Sequence, residues 1–147
     1  MTRQRGERGS ALIEVTWLSI LLLMPLLYVV LSVFQVQRSA FAVNAAARAA
    51  GRAYTLAPSQ SEAVARARSA AAVAMRDQGL HLADGSMQLS CDPDPDACLS
   101  PGSVVHVRMA YQVDLPLRPD ALGGDTPSIR VGAEHSVSYG EYREARP

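Results

Sequence analysis

The constraint that governs this 147-residue chain is an apolar run, ALIEVTWLSILLLMPLLYVVLSVF, from Ala11 to Phe34. Wound as a helix at ~1.5 Å per residue it reaches ~36 Å, enough to cross the ~30 Å hydrocarbon of a bilayer. Its one charge is Glu14. A carboxylate deep in lipid costs roughly 2.5–3.5 kcal/mol on insertion scales, so a residue of this kind marks function. Before the run stand Arg3, Arg5 and Arg8 against a single Glu7. That bias predicts a cytoplasmic N-terminus and an extracytoplasmic C-terminal part.

What remains after the run is long enough for one small domain. Basic and acidic residues balance at fourteen each, so charge gives no argument for nucleic acid as a partner. Residues 1–9 read as a short, unstructured basic leader and residues 10–34 as the membrane span. Pro25, which lacks a backbone donor, predicts a kink within it. No turn signal follows the span, so residues 35–57 read as the same helix continuing outside the membrane. Val36, Ala40, Val43, Ala47, Ala50 and Tyr54 share one face, with Arg38, Arg48 and Arg52 opposite. Gly51 weakens this helix near its end and Pro58 stops it.

Residues 58–147 then make a small α+β domain. Ser59-Gln60-Ser61-Glu62 predicts a capping box opening a second helix. Its stripe is Val64, Ala67, Ala71 and Met75, and it ends at Gly79. Met87–Cys91 reads as a short strand. Val104–Leu115 alternates apolar and polar residues and is the clearest strand, closed by Pro116 and Pro119. After a loop over Leu122–Ser128, Ile129–Tyr139 alternates again. The remainder reads as a charged tail. Three antiparallel strands with one apolar face need a cover, and the two Ala-lined helices supply it.

Cys91 and Cys98 flank the turn Asp92-Pro93-Asp94-Pro95-Asp96-Ala97. Two thiols with no adjacent histidine make a poor zinc site, and an extracytoplasmic location permits oxidation, so a disulfide is expected. Asp92, Asp94 and Asp96 offer oxygens to calcium but lack the EF-hand spacing and its glycine; a solvated acidic turn is the simpler reading. His81, His106 and His135 are scattered, and no Ser-His-Asp order or phosphate loop is present. The chain is therefore expected to be neither an enzyme nor a cofactor protein.

The run Gly9-Ser10-Ala11-Leu12-Ile13-Glu14 resembles a type IV prepilin signal. The resemblance implies cleavage between Gly9 and Ser10 by a membrane-embedded prepilin peptidase, leaving Glu14 as the fifth residue of the mature chain and the apolar helix attached for assembly. Over residues 8–57 the chain is similar to TadE-like pseudopilins of tight-adherence (Flp-type) pilus systems. The likeness rests on that leader, the leucine-rich span and Asn44-Ala45-Ala46-Ala47-Arg48-Ala49-Ala50-Gly51-Arg52-Ala53. Val15 departs from the aromatic residue common after the glutamate in that family. The resemblance implies a minor structural subunit of a pilus or related secretion apparatus, with the membrane, the prepilin peptidase and other pilin or TadE/TadF-like subunits as partners and Glu14 setting assembly register. Two other readings stand beside it. One is a single-span, membrane-anchored extracytoplasmic binding module outside any filament. The other is an enzyme released at Ala40-Phe41-Ala42, which the excessive length of the apolar run and the lack of a catalytic set disfavour.

Overall fold

A computed structural model of the chain describes residues 7–115 and 128–146, with side chains from residue 12 onward. The predicted leader residues 1–6 and the loop over 116–127, with Pro116 and Pro119, lie outside the described residues. The architecture is α+β. The order is α1 (Glu7–Thr55), α2 (Gln60–Asp77), β1 (Met87–Asp92), β2 (Val104–Asp114) and β3 (Ser128–Ser138).

α1 is one unbroken helix that carries both the apolar run and the core of the domain. It passes through Pro25 without ending there. Helix is already present at Glu7, so residues 7–9, expected as the end of an unstructured leader, are helical. No helix breaker other than Gly9 separates Glu7 from the run, and one glycine costs only about 1 kcal/mol of helix propensity.

α2 starts where the sequence placed it. Ser59 is its N-cap, and its Oγ accepts the Glu62 amide at 3.4 Å. Glu62 does not complete the capping box; its carboxylate instead pairs with Arg66 one turn on, at 3.1 Å. The helix ends in a Schellman motif. The Gly79 amide bonds the Arg76 carbonyl, and the Leu80 amide bonds that of Met75. Gly79 holds φ +68°, which a Cβ disfavours, and Leu80 folds back onto the core beside Met75. The buried stripe of α2 is Ala63, Ala67, Ala71 and Met75. Val64, expected in it, is exposed, because the face that meets α1 begins one residue earlier.

The sheet has strand order β1-β2-β3, antiparallel throughout. β2 and β3 pair without a bulge from Val104↔Ser138 to Asp114↔Ser128. Val105, Val107, Met109 and Val113 of β2 turn inward, while Arg108 meets Glu134 across the solvent face at 3.1 Å. Both helices were expected to cover the inward face, but the packing differs. α1 packs on β2 and β3, and α2 packs on α1. One helix is therefore the middle of the domain, and it needs small residues toward both neighbours. Ala42, Ala46, Ala47 and Ala50 are fully buried in it. Gly51 faces the sheet so closely that a Cβ there would stand 2.8 Å from Val137 Cγ2. Its place in the helix is a packing requirement.

Candidate functional site

Along α1 from Leu12 to Phe34 the large aliphatic side chains, Trp17 and Phe34 lie outside the core, from 40% exposed at Val30 to 72% at Leu12, and Tyr28 is half-buried. Residues of this kind, gathered on one helix, suit lipid or another apolar helix rather than water. The helix is long and apolar enough to cross a membrane, and among the described residues none buries its most apolar stretch.

Glu14 sits on this exposed segment, and no cation whose side chain is described pairs with it. Gly9 and Ser10 occupy the opening turn of the same helix, so Ser10 and Glu14 are i and i+4 on one face. Thr16 and Ser32 return their hydroxyls to the carbonyls of Leu12 and Tyr28, each at 2.8 Å, which removes two polar groups from the apolar surface.

The domain closes on α1 at two ends. At the end nearer the span, Gln35 Nε2 donates to the Asp114 carbonyl at 3.0 Å and the Arg38 guanidinium donates to the Gln78 carbonyl. At the far end, α1 stops at Thr55, and four segments converge. The Cys91–Cys98 disulfide joins Cα atoms 5.5 Å apart, and both residues are buried in the core cluster. Gln60 at the head of α2 donates to the Asp96 carbonyl at 2.7 Å, holding the turn against the helix pair.

The charged tail is part of this end. Arg143 Nη1 donates to the Thr55 carbonyl at 3.0 Å, and the Arg146 guanidinium donates to that of Ala57. The Arg146 amide bonds the Leu99 carbonyl at 3.1 Å. Tyr139, fully buried, donates its hydroxyl to the Glu144 carbonyl at 2.8 Å, and Arg143 stacks over its ring at 4.9 Å. Two cations thus stand at the negative end of a long helix, Arg143 on the carbonyl of its last residue and Arg146 on that of Ala57 just beyond it. Arg143 and Arg146 were visible in the sequence as tail charges, but their acceptors lie 88 and 89 residues away, so no local pattern could name them.

The acidic turn does not gather its oxygens on one point. Asp92 bonds His106 Nε2 at 3.0 Å, and Asp94 accepts the Asp96 amide at 2.9 Å. His106 also reaches Ser136 at 2.8 Å through Nδ1, forming a polar row across the three strands on the solvent face. Among the described residues no cluster of three or more His, Cys, Asp or Glu side chains is placed to hold a metal. Tyr54 is buried beside the sheet, and desolvation pushes its phenol above the ordinary 10.0.

The predicted residues therefore fall into two groups and not one site. Gly9, Ser10, Glu14 and Pro25 lie along the exposed first half of α1, and Cys91 and Cys98 lie by its far end. From Glu14 to Thr55 the helix rises ~60 Å. No protein-family model, curated protein or solved structure matches the chain.

Proposed function

We propose that this chain is a minor pseudopilin-like structural subunit of a Flp-type (tight-adherence) pilus or related secretion apparatus, processed by a prepilin peptidase between Gly9 and Ser10. The observation that carries the reading is the Gly9–Glu14 leader motif at the head of an exposed apolar helix that is continuous with the core helix of the domain. In such a subunit the apolar half of the helix is the assembly element. The domain is fixed to it without a linker, so the position of one dictates the position of the other.

Cleavage requires the opening turn of α1 to unwind into a protease, and glycine makes that easier by about 1 kcal/mol relative to alanine. It also creates a new cation, the α-amino group of Ser10, one turn from Glu14. That amine neutralises the carboxylate within the chain or across to a neighbouring helix, which offsets the cost of a charge in lipid and sets axial register.

The test is direct. In membranes containing the cognate peptidase, the N-terminal peptide of the extracted protein should begin at Ser10, and Gly9→Val should leave the leader attached. Recovery of intact Met1–Gly9 from the wild type would refute processing. Glu14→Gln should be cut normally yet lose cross-linked complexes with partner pilins; complexes at native levels would refute the register role.

A further inference from the structure

Where α1 leaves its apolar segment, it borders a cleft of about 380 Å³ lined by Leu31, Phe34, Gln35, Arg38, Gly79 and Leu80. The cleft has two chemistries in a fixed order. Leu31 and Phe34 are exposed and belong to the apolar surface that begins at Leu12. Arg38 stands one turn above Phe34, ~6 Å along the helix. The polar layer on each side of the hydrocarbon is of comparable thickness, roughly 5–7 Å. If Phe34 closes the hydrocarbon span, Arg38 lies at the depth of the phosphates.

The guanidinium is held there. It donates to the Gln78 carbonyl at the end of α2, which uses one of its five N–H groups. It also lies against Gly79, where a Cβ would come within 2.5 Å of Arg38 Nη2. The ion pairs of the described residues engage Arg66, Arg68 and Arg108 with carboxylates, and Arg38 is in none of them. A positioned cation with donors to spare, directly above an apolar floor continuous with a membrane span, is complementary to a phosphodiester carrying acyl chains.

We propose that this cleft seats the headgroup of an anionic phospholipid, with Arg38 donating to the phosphate and Leu31 and Phe34 lying along the first carbons of an acyl chain. The inference rests on α1 crossing the membrane. It does not depend on the pilus reading, which can fail while this one stands.

The test uses the full chain reconstituted in nanodiscs of phosphatidylcholine doped with phosphatidylglycerol. The lipid that stays bound after release into detergent is counted by native mass spectrometry. The wild type should retain phosphatidylglycerol over phosphatidylcholine by about fivefold, the effect of one basic side chain at an anionic surface. Arg38→Gln should abolish the preference. Arg108→Gln, a cation on the solvent face of the sheet, should leave it intact. Gly79→Ala gives a second, independent perturbation, because its Cβ displaces the guanidinium while leaving the charge in the chain; it too should lose the preference. An equal preference in wild type and Arg38→Gln would overturn the proposal. So would displacement of the bound lipid by inorganic phosphate alone, which would make the cleft a simple anion site. Retention of no lipid, with a second protein occupying the cleft in cross-links from Arg38→Cys, would overturn it in favour of a protein partner.

Discussion

Replacing Gly51 with alanine sets two effects of known sign against each other. By helix propensity the change should stabilise α1 by about 1 kcal/mol. By packing it should do the reverse. The new Cβ would stand 2.8 Å from Val137 Cγ2, with Val107 Cγ2 at 3.5 Å and His135 Cδ2 at 3.6 Å. Carbon atoms rest at about 3.5–4.0 Å, so the first contact must open by roughly 0.7 Å or more. Valine is branched at Cβ and has little rotameric freedom with which to yield. Overpacking of this kind costs about 1–3 kcal/mol. The packing term wins, and Gly51→Ala should destabilise the domain by about 1 kcal/mol, a fall of about 4 °C in Tm for a domain of this size. Thermal unfolding of the full chain in detergent, followed by far-UV circular dichroism, reads this directly. Two companions make the reasoning testable. Ala45→Gly, on the exposed face of α1, should lose about 1 kcal/mol and show that propensity operates in this helix. In a Val137→Ala background, Gly51→Ala should become neutral or stabilising. If Gly51→Ala raises Tm in the wild type, or acts identically in both backgrounds, the close approach of α1 to β3 does not decide the energetics at this position.

Reduction of the Cys91–Cys98 bond, or Cys→Ser at both positions, should cost about 2–3 kcal/mol from the loop it closes, measured by denaturant unfolding with and without reductant. Arg143→Ala and Arg146→Ala should each cost about 1 kcal/mol, and both should speed amide exchange at the last turn of α1 while leaving the segment near Arg38 unchanged. Tyr54, whose phenol burial raises above 10.0, contributes stability that is complete below that ordinary value. Between the unfolded and folded values the unfolded state binds fewer protons, so stability falls as pH rises through this window. Tyr54→Phe should flatten that alkaline slope in pH-dependent unfolding, and an unchanged slope would assign it to other groups.

The elements of this fold were legible because each is written locally. Uninterrupted apolar residues with no turn signal gave one helix from the span into the domain. Ser59 at the head of α2 and Gly79 at its end announced themselves by side-chain hydrogen bonding and by tolerance of positive φ. Strict alternation at Val105, Val107 and Met109 marked the inward face of β2. The spacing from Gly9 and Ser10 to Glu14 can be read along one chain segment, and the processing proposed from it awaits the N-terminal peptide.

The layering was not legible. An alanine stripe shows that something approaches closely but not from which side, so both helices were expected on the sheet when α1 alone lies there. The same ambiguity placed Val64 in the buried stripe in place of Ala63, since a shift of one residue turns a helix face by only ~100°. Gly51 looked like a helix weakness until Val137 appeared opposite it. The tail looked like solvated charge until Arg143 and Arg146 were found on the carbonyls of Thr55 and Ala57. Sequence alone determined the elements, the membrane-length helix and the pairing of the only two cysteines, because propensity, hydropathy and short-loop closure act between near neighbours. Tertiary structure decided which faces meet, what caps the last carbonyl of α1, and where Arg38 is held. Those depend on groups brought together from distant parts of the chain, and no local pattern records the partner.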